Sequence, residues 1–173
     1  MESLLSVLLV SLSGLFFVSA VFKLLNLNDF MDLVAEYAVL PRRLSRVYGA
    51  VLPFAEGASA VLLLVPGLYG WGALLMALSL VSFAMAVRFV MRQGRVITCG
   101  CQGKLLDSKA DGFTLGKIGF LGTMLAVTAL LHDGTVVYSL PTIALGSLIT
   151  LLVILMQKVW TLYANGMQTL KRS

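Results

Sequence analysis

Residues 4–25 read LLSVLLVSLSGLFFVSAVFKLL, an apolar run whose single charge, Lys23, comes near its end. A hydrocarbon core about 30 Å thick needs roughly 20 apolar residues at 1.5 Å rise, and this run meets that length. Val18-Ser19-Ala20 has the small residues of a signal-peptidase site, but only Met1, Glu2 and Ser3 precede the run, where a signal peptide needs a basic n-region. The run is also longer than an ordinary signal h-region, so it is expected to be a retained helix.

Outward from this helix, four further windows have the length and polarity of spans: 47–66, 69–91, 115–131 and 138–162. The fourth is the shortest and carries Gly116, Gly119 and Gly122, so a four-span alternative leaves it re-entrant. Composition agrees with a membrane protein: 59% of the 173 residues are hydrophobic, 12% are charged and mean hydropathy is +0.95. A water-soluble monomer of this size could neither hide that apolar surface nor coat itself with so few ions. Disorder needs low hydrophobicity, and a disulfide scaffold needs more than two cysteines. The expected fold is an all-α integral membrane protein, one transmembrane helical domain over residues 1–173. It is a bundle of four to five transmembrane helices with a short interfacial helix.

That short helix falls between the first two spans, where Leu27, Phe30, Met31, Val34, Tyr37 and Ala38 recur at three- and four-residue spacing. Asp29, Asp32 and Glu36 occupy the other side. Asn28 or Asp29 is expected to cap it and Pro41 to end it. With five spans, all 13 Lys and Arg fall on one set of loops. Lys23 goes with Arg42, Arg43 and Arg46; six more run from Arg88 to Lys117; Lys158, Lys171 and Arg172 complete the set. The positive-inside rule then puts the N-terminus outside and the C-terminus in the cytoplasm. Nucleic acid is not an expected partner, because these cations are spread over three loops with no aromatic platform among them.

Two groups of residues invite chemistry. The first is Cys99-Gly100-Cys101-Gln102-Gly103, which holds both cysteines of the chain in its longest polar stretch. Cα atoms two residues apart lie about 5.5 to 7 Å from each other, at the upper end of what a disulfide accepts. Such a bridge is strained and readily attacked, as an exchanging redox pair requires. Gly100 and Gly103 free the backbone to turn there, and Arg95 and Lys104 nearby favour the thiolate. The same two sulfurs could instead bind a two-coordinate soft ion, Cu(I) or Hg(II), or sit inert in a structural turn. Structural zinc wants four ligands, and the lone His132 falls at the opposite face of the membrane, so no resident metal or other cofactor is expected.

The second is Glu56, nine residues into the second span in Leu52-Pro53-Phe54-Ala55-Glu56-Gly57, roughly 13 Å deep by helix rise. A carboxyl group there is costly and marks an ion pair, a proton or ligand site, or a neutral acid. Lys23, near the same end of the antiparallel first span, can reach it, and Arg88 in the third span is the alternative partner. Both cations also lie close enough to the interface to snorkel. The stripe of Phe83, Met85, Phe89 and Met91 reads as packing or lipid-facing filler.

Taken in order, Phe22-Lys23-Leu24, Tyr37 with Leu40-Pro41, Pro53 with Glu56, and Cys99-Gly100-Cys101 with Gly103 resemble the MauE family of methylamine utilisation proteins, relatives of the DoxX-like membrane proteins. The resemblance covers about residues 14–130 and departs at Gln102, where the family usually has an aromatic residue. It implies a bacterial inner-membrane accessory protein for maturation of methylamine dehydrogenase, whose small subunit carries disulfides and a tryptophan-derived quinone. A thioredoxin-like partner of the MauD type is implied as well. Carried over, Cys99 and Cys101 are the exchanging pair, and Lys23 and Glu56 the intramembrane support. Substrate disulfides form in the periplasm, yet charge places the cysteine loop at the cytoplasmic end. Either the loop folds back into the bundle or electrons pass across the membrane, the second being preferred. A soft-metal carrier and a structural membrane partner without chemistry are the rival readings.

Overall fold

The computed structural model describes residues 2–39, 41–94, 98–99, 108–109, 112–131 and 139–170. In order come α1 (Glu2–Leu25), α2 (Leu27–Glu36), α3 (Arg42–Leu64), α4 (Tyr69–Arg92), β1 (Thr98–Cys99), β2 (Ser108–Lys109), α5 (Gly112–Leu131) and α6 (Leu140–Leu170). Five of the helices are long and apolar enough to cross a membrane, and the chain is a multi-pass membrane protein. The short fourth span is an unbroken 20-residue helix, about 30 Å long, so a crossing is satisfied without tilt or re-entry. Helix α6 is 31 residues, about 46 Å by rise, and extends eight positions past the end read from hydropathy.

The expected α2 is present, but its ends differ from the sequence reading. Asn26, not Asn28 or Asp29, is the N-cap: its carbonyl accepts the Phe30 N–H at 3.0 Å and its side chain donates to the Phe22 carbonyl. The helix stops at Glu36, before a left-handed Ala38 with φ of 52°. Pro41 instead begins α3 as its N-cap, with the Ser45 N–H bonded to its carbonyl at 3.0 Å. A proline has no N–H to lose at a helix start and its fixed φ suits the entry, so local chemistry assigns it to the following helix.

Helix α1 is the hub, touching α2, α3, α5 and α6, while α4 packs on α3 and α5. Lipid offers no hydrophobic drive for helices to associate, so contact depends on small residues and hydrogen bonds. Ser11 of α1 donates to Gly146 of α6 at 3.2 Å, and Thr150 of α6 returns a bond to the Ser11 carbonyl at 3.2 Å. Ser13 donates to the Ala60 carbonyl of α3 at 2.7 Å. At the α3–α4 turn, a Cβ on Gly72 would lie 2.6 Å from the backbone nitrogen of Leu63, so only glycine permits that approach. Outward-facing Leu, Ile, Val and Phe side chains supply the lipid surface.

Candidate functional site

Lys23 and Glu56 are both buried at the centre of the packing, with side-chain exposures of 0% and 1%. The Lys23 Nζ donates to both carboxylate oxygens of Glu56 at 2.7 Å. Ser19, one turn before Lys23 on the same face of α1, also hydrogen-bonds the Glu56 carboxylate. Two aromatic faces close over the ammonium: the Phe30 ring of α2 at 5.2 Å and the Phe83 ring of α4 at 4.4 Å to centroid. The charge is thus compensated from three helices beside its own, which is what a desolvated cation requires. Of the alternatives open from sequence, the Lys23 partnership is the one formed, and Arg88 is exposed.

Phe83 is therefore more than filler, and Phe30, Phe83 and Ser19 escaped the sequence reading as members of this cluster. Ser19 had a usable signal in its four-residue spacing from Lys23. The aromatic residues had none, because their meeting with Lys23 depends on how α2 and α4 pack against the bundle.

Beside the cluster lies a groove of about 260 Å³ between α2, α3 and α4, with Phe30 and Phe83 in its wall. Tyr48 and Ser82 bridge the two long helices at 2.6 Å within it. Cys99 follows α4 by seven positions and stands in β1, antiparallel to β2, with Cys99 opposite Ser108 and Thr98 opposite Lys109. The short ladder was not foreseen, since two residues carry too little periodicity to read. Cys99 comes after the end of α4, the same end of the bundle at which α1 finishes at Leu25 and α3 starts at Arg42. Gly100, Cys101 and Gly103, with Arg95, Lys104 and His132, lie outside the described residues.

The family described as "Methylamine utilisation protein MauE" matches residues 1–132, which take in Lys23, Glu56 and both cysteines. The chain belongs to the MauE family. Among relatives, methylamine utilization protein MauE of Paracoccus denitrificans is 39% identical over 93 residues, covering 53% of this chain and 50% of the relative. The protein of the same name from Methylophilus methylotrophus is 34% identical over 84 residues, covering 48% and 44%. The matched stretch thus spans about half the length of either relative or less. No solved structure matches the chain. Helix α6 falls beyond the residues that the MauE family model matches, whereas the buried ion pair and the β1–β2 ladder fall within them.

Proposed function

We propose that this MauE-family protein serves methylamine utilisation as an accessory of the bacterial inner membrane. Its role is maturation of methylamine dehydrogenase, acting on the disulfide-bearing small subunit through Cys99 and Cys101 and a thioredoxin-like partner of the MauD type. Family membership over residues 1–132 is the observation that carries this reading. The composition of the only cysteine-bearing loop supports it, as does its place in the sequence directly after α4 of a bundle pinned by Lys23 and Glu56.

The chemistry is thiol–disulfide exchange. One thiolate of the reduced pair attacks a sulfur of the partner disulfide, forming a mixed disulfide and releasing the partner's other sulfur as thiolate. The second cysteine then attacks the mixed disulfide, so that the pair ends bridged and the partner leaves as a dithiol. The same steps in reverse hand a disulfide to the partner. Two electrons move in either direction, and no other oxidant enters the exchange. The loops rich in Lys and Arg are assigned to the cytoplasmic face, with the N-terminus outside and the C-terminus inside, and the exchange is then coupled to periplasmic disulfides by passage of electrons across the membrane.

The test is replacement of Cys99, Cys101 or both by Ser in a methylamine-grown host. Membrane insertion is expected to persist while cofactor-bearing dehydrogenase is lost. Full maturation with both sulfurs removed overturns the mechanism. Thiol labelling from each side of intact cells, before and after reduction, fixes the face on which the pair acts.

A further inference from the structure

We propose that the groove between α2, α3 and α4 is the seat of one anionic phospholipid, with an acyl chain in the groove and the phosphate on arginines at its head. The groove walls are formed by apolar side chains of all three helices, Phe30, Val34, Leu52 and Phe83 among them. Val39 and Met85 mark an open rim, at 47% and 62% exposure. A void this large forfeits the contacts of every side chain around it, so it is filled by whatever apolar material reaches it, and in a bilayer that material is hydrocarbon.

The polar groups present argue for an alkyl chain over a ring bearing carbonyls. Tyr48 donates its hydroxyl to Ser82 at 2.6 Å, and Ser82 donates onward to the Ser79 carbonyl at 2.8 Å, so both protons are already spent. Charge supplies the other half of the ligand. Arg42 lies one turn before Ser45 of the groove wall, and Arg92 lies two turns beyond Met85 on the same face of α4; both are exposed. Arg46 is held by Asp32 at 2.9 Å across the rim. On α2, α3 and α4 at this end the described charges are Arg42, Arg43, Arg46, Arg88 and Arg92 against Asp29, Asp32 and Glu36, and Lys23 is already paired with Glu56. The surplus is cationic and lies at the ends of the spans, where a bilayer places its headgroups, as basic pockets between transmembrane helices require for anionic lipid. An acyl chain there would also back the two rings that face Lys23.

The experiment uses the full chain extracted from vesicles of phosphatidylglycerol and phosphatidylcholine, with retained lipid identified by native mass spectrometry. One phosphatidylglycerol per chain is expected, preferred over phosphatidylcholine by roughly tenfold or more, and Arg42→Gln with Arg92→Gln removes most of that preference. Ala86→Phe, which fills the groove, abolishes retention. Because that substitution can disturb packing, a phosphatidylglycerol with a photoreactive acyl chain is used on the unmodified protein, and cross-links at Val39 and Met85 are expected. Cross-links scattered around the bundle, equal retention of the two phospholipids, competition by glycerol phosphate alone, or an isoprenoid quinone as the retained molecule would each overturn the assignment.

Discussion

Lys23 and Glu56, 33 positions apart, meet with both carboxylate oxygens 2.7 Å from the ammonium in the fully buried centre of the bundle. Two charges withdrawn from water cost several kcal/mol each, and their attraction offsets that cost only while both are present and fully bonded. The asymmetry gives a prediction. Lys23→Met or Glu56→Leu alone should destabilise the bundle by about 3 to 5 kcal/mol, whereas Lys23→Met with Glu56→Leu should recover much of the loss. Thermal unfolding in detergent across this double-mutant cycle measures the coupling. Additive losses would show that the pair is not the unit that matters.

The aromatic faces should matter less than the carboxylate but measurably. Phe83→Leu keeps an apolar side chain while withdrawing one ring from the Lys23 ammonium, and is expected to cost about 1 to 2 kcal/mol. Phe89→Leu, on an exposed part of the same helix, serves as the control and should be near neutral. Equal effects on the unfolding midpoint would remove the cation–π contribution.

The glycines divide by what surrounds them. A Cβ on Gly72 would meet the α3 backbone at 2.6 Å, and one on Gly146 the Val10 side chain at 2.7 Å, whereas Gly116 and Gly119 of α5 have nothing within 4 Å. Gly72→Ala should therefore cost about 1 to 3 kcal/mol or more through forced backbone movement. Gly119→Ala should be neutral or should raise stability by up to about 1 kcal/mol, because alanine is the better helix former. Unfolding midpoints of the two variants in one detergent decide this.

Ala38 holds a left-handed conformation, φ 52°, between α2 and α3. An L-residue with a Cβ loses roughly 1 to 2 kcal/mol there relative to its favoured regions, a cost glycine avoids. Ala38→Gly is expected to raise the unfolding midpoint slightly, part of the gain being offset by the freer unfolded chain. A clear drop would mean that the Ala38 methyl contributes packing that outweighs the strain.

The spans were legible because each must satisfy one solvent by itself: a run of apolar residues long enough to cross hydrocarbon announces a helix whatever its neighbours do. Lys23 and Glu56 were legible for the same reason, since a charge in such a run is costly wherever the helix finally packs. The ends of α2 were misread because capping by Asn26 and the turn at Ala38 are settled by backbone dihedrals within a few residues of amphipathic sequence that offers several equivalent caps. The start of α5, three residues ahead of the hydropathic window, was hidden because Gly112 and Thr114 carry little apolar signal.

By itself, then, the order of residues determined a helical membrane protein of four to five spans, an amphipathic segment after the first span, and a costly acid with a lysine in reach. It also marked out a cysteine pair on the longest polar loop. Only the tertiary structure decided that Lys23 rather than Arg88 answers Glu56, that Phe30 and Phe83 close over it, and that a groove opens beside them. Hydropathy is a property of one segment against its solvent, whereas these contacts depend on how four helices are rotated about their axes and how closely they approach. The approach is closest at small residues such as Gly49, against α2, and Gly72, against α3, which no local pattern connects to the ion pair.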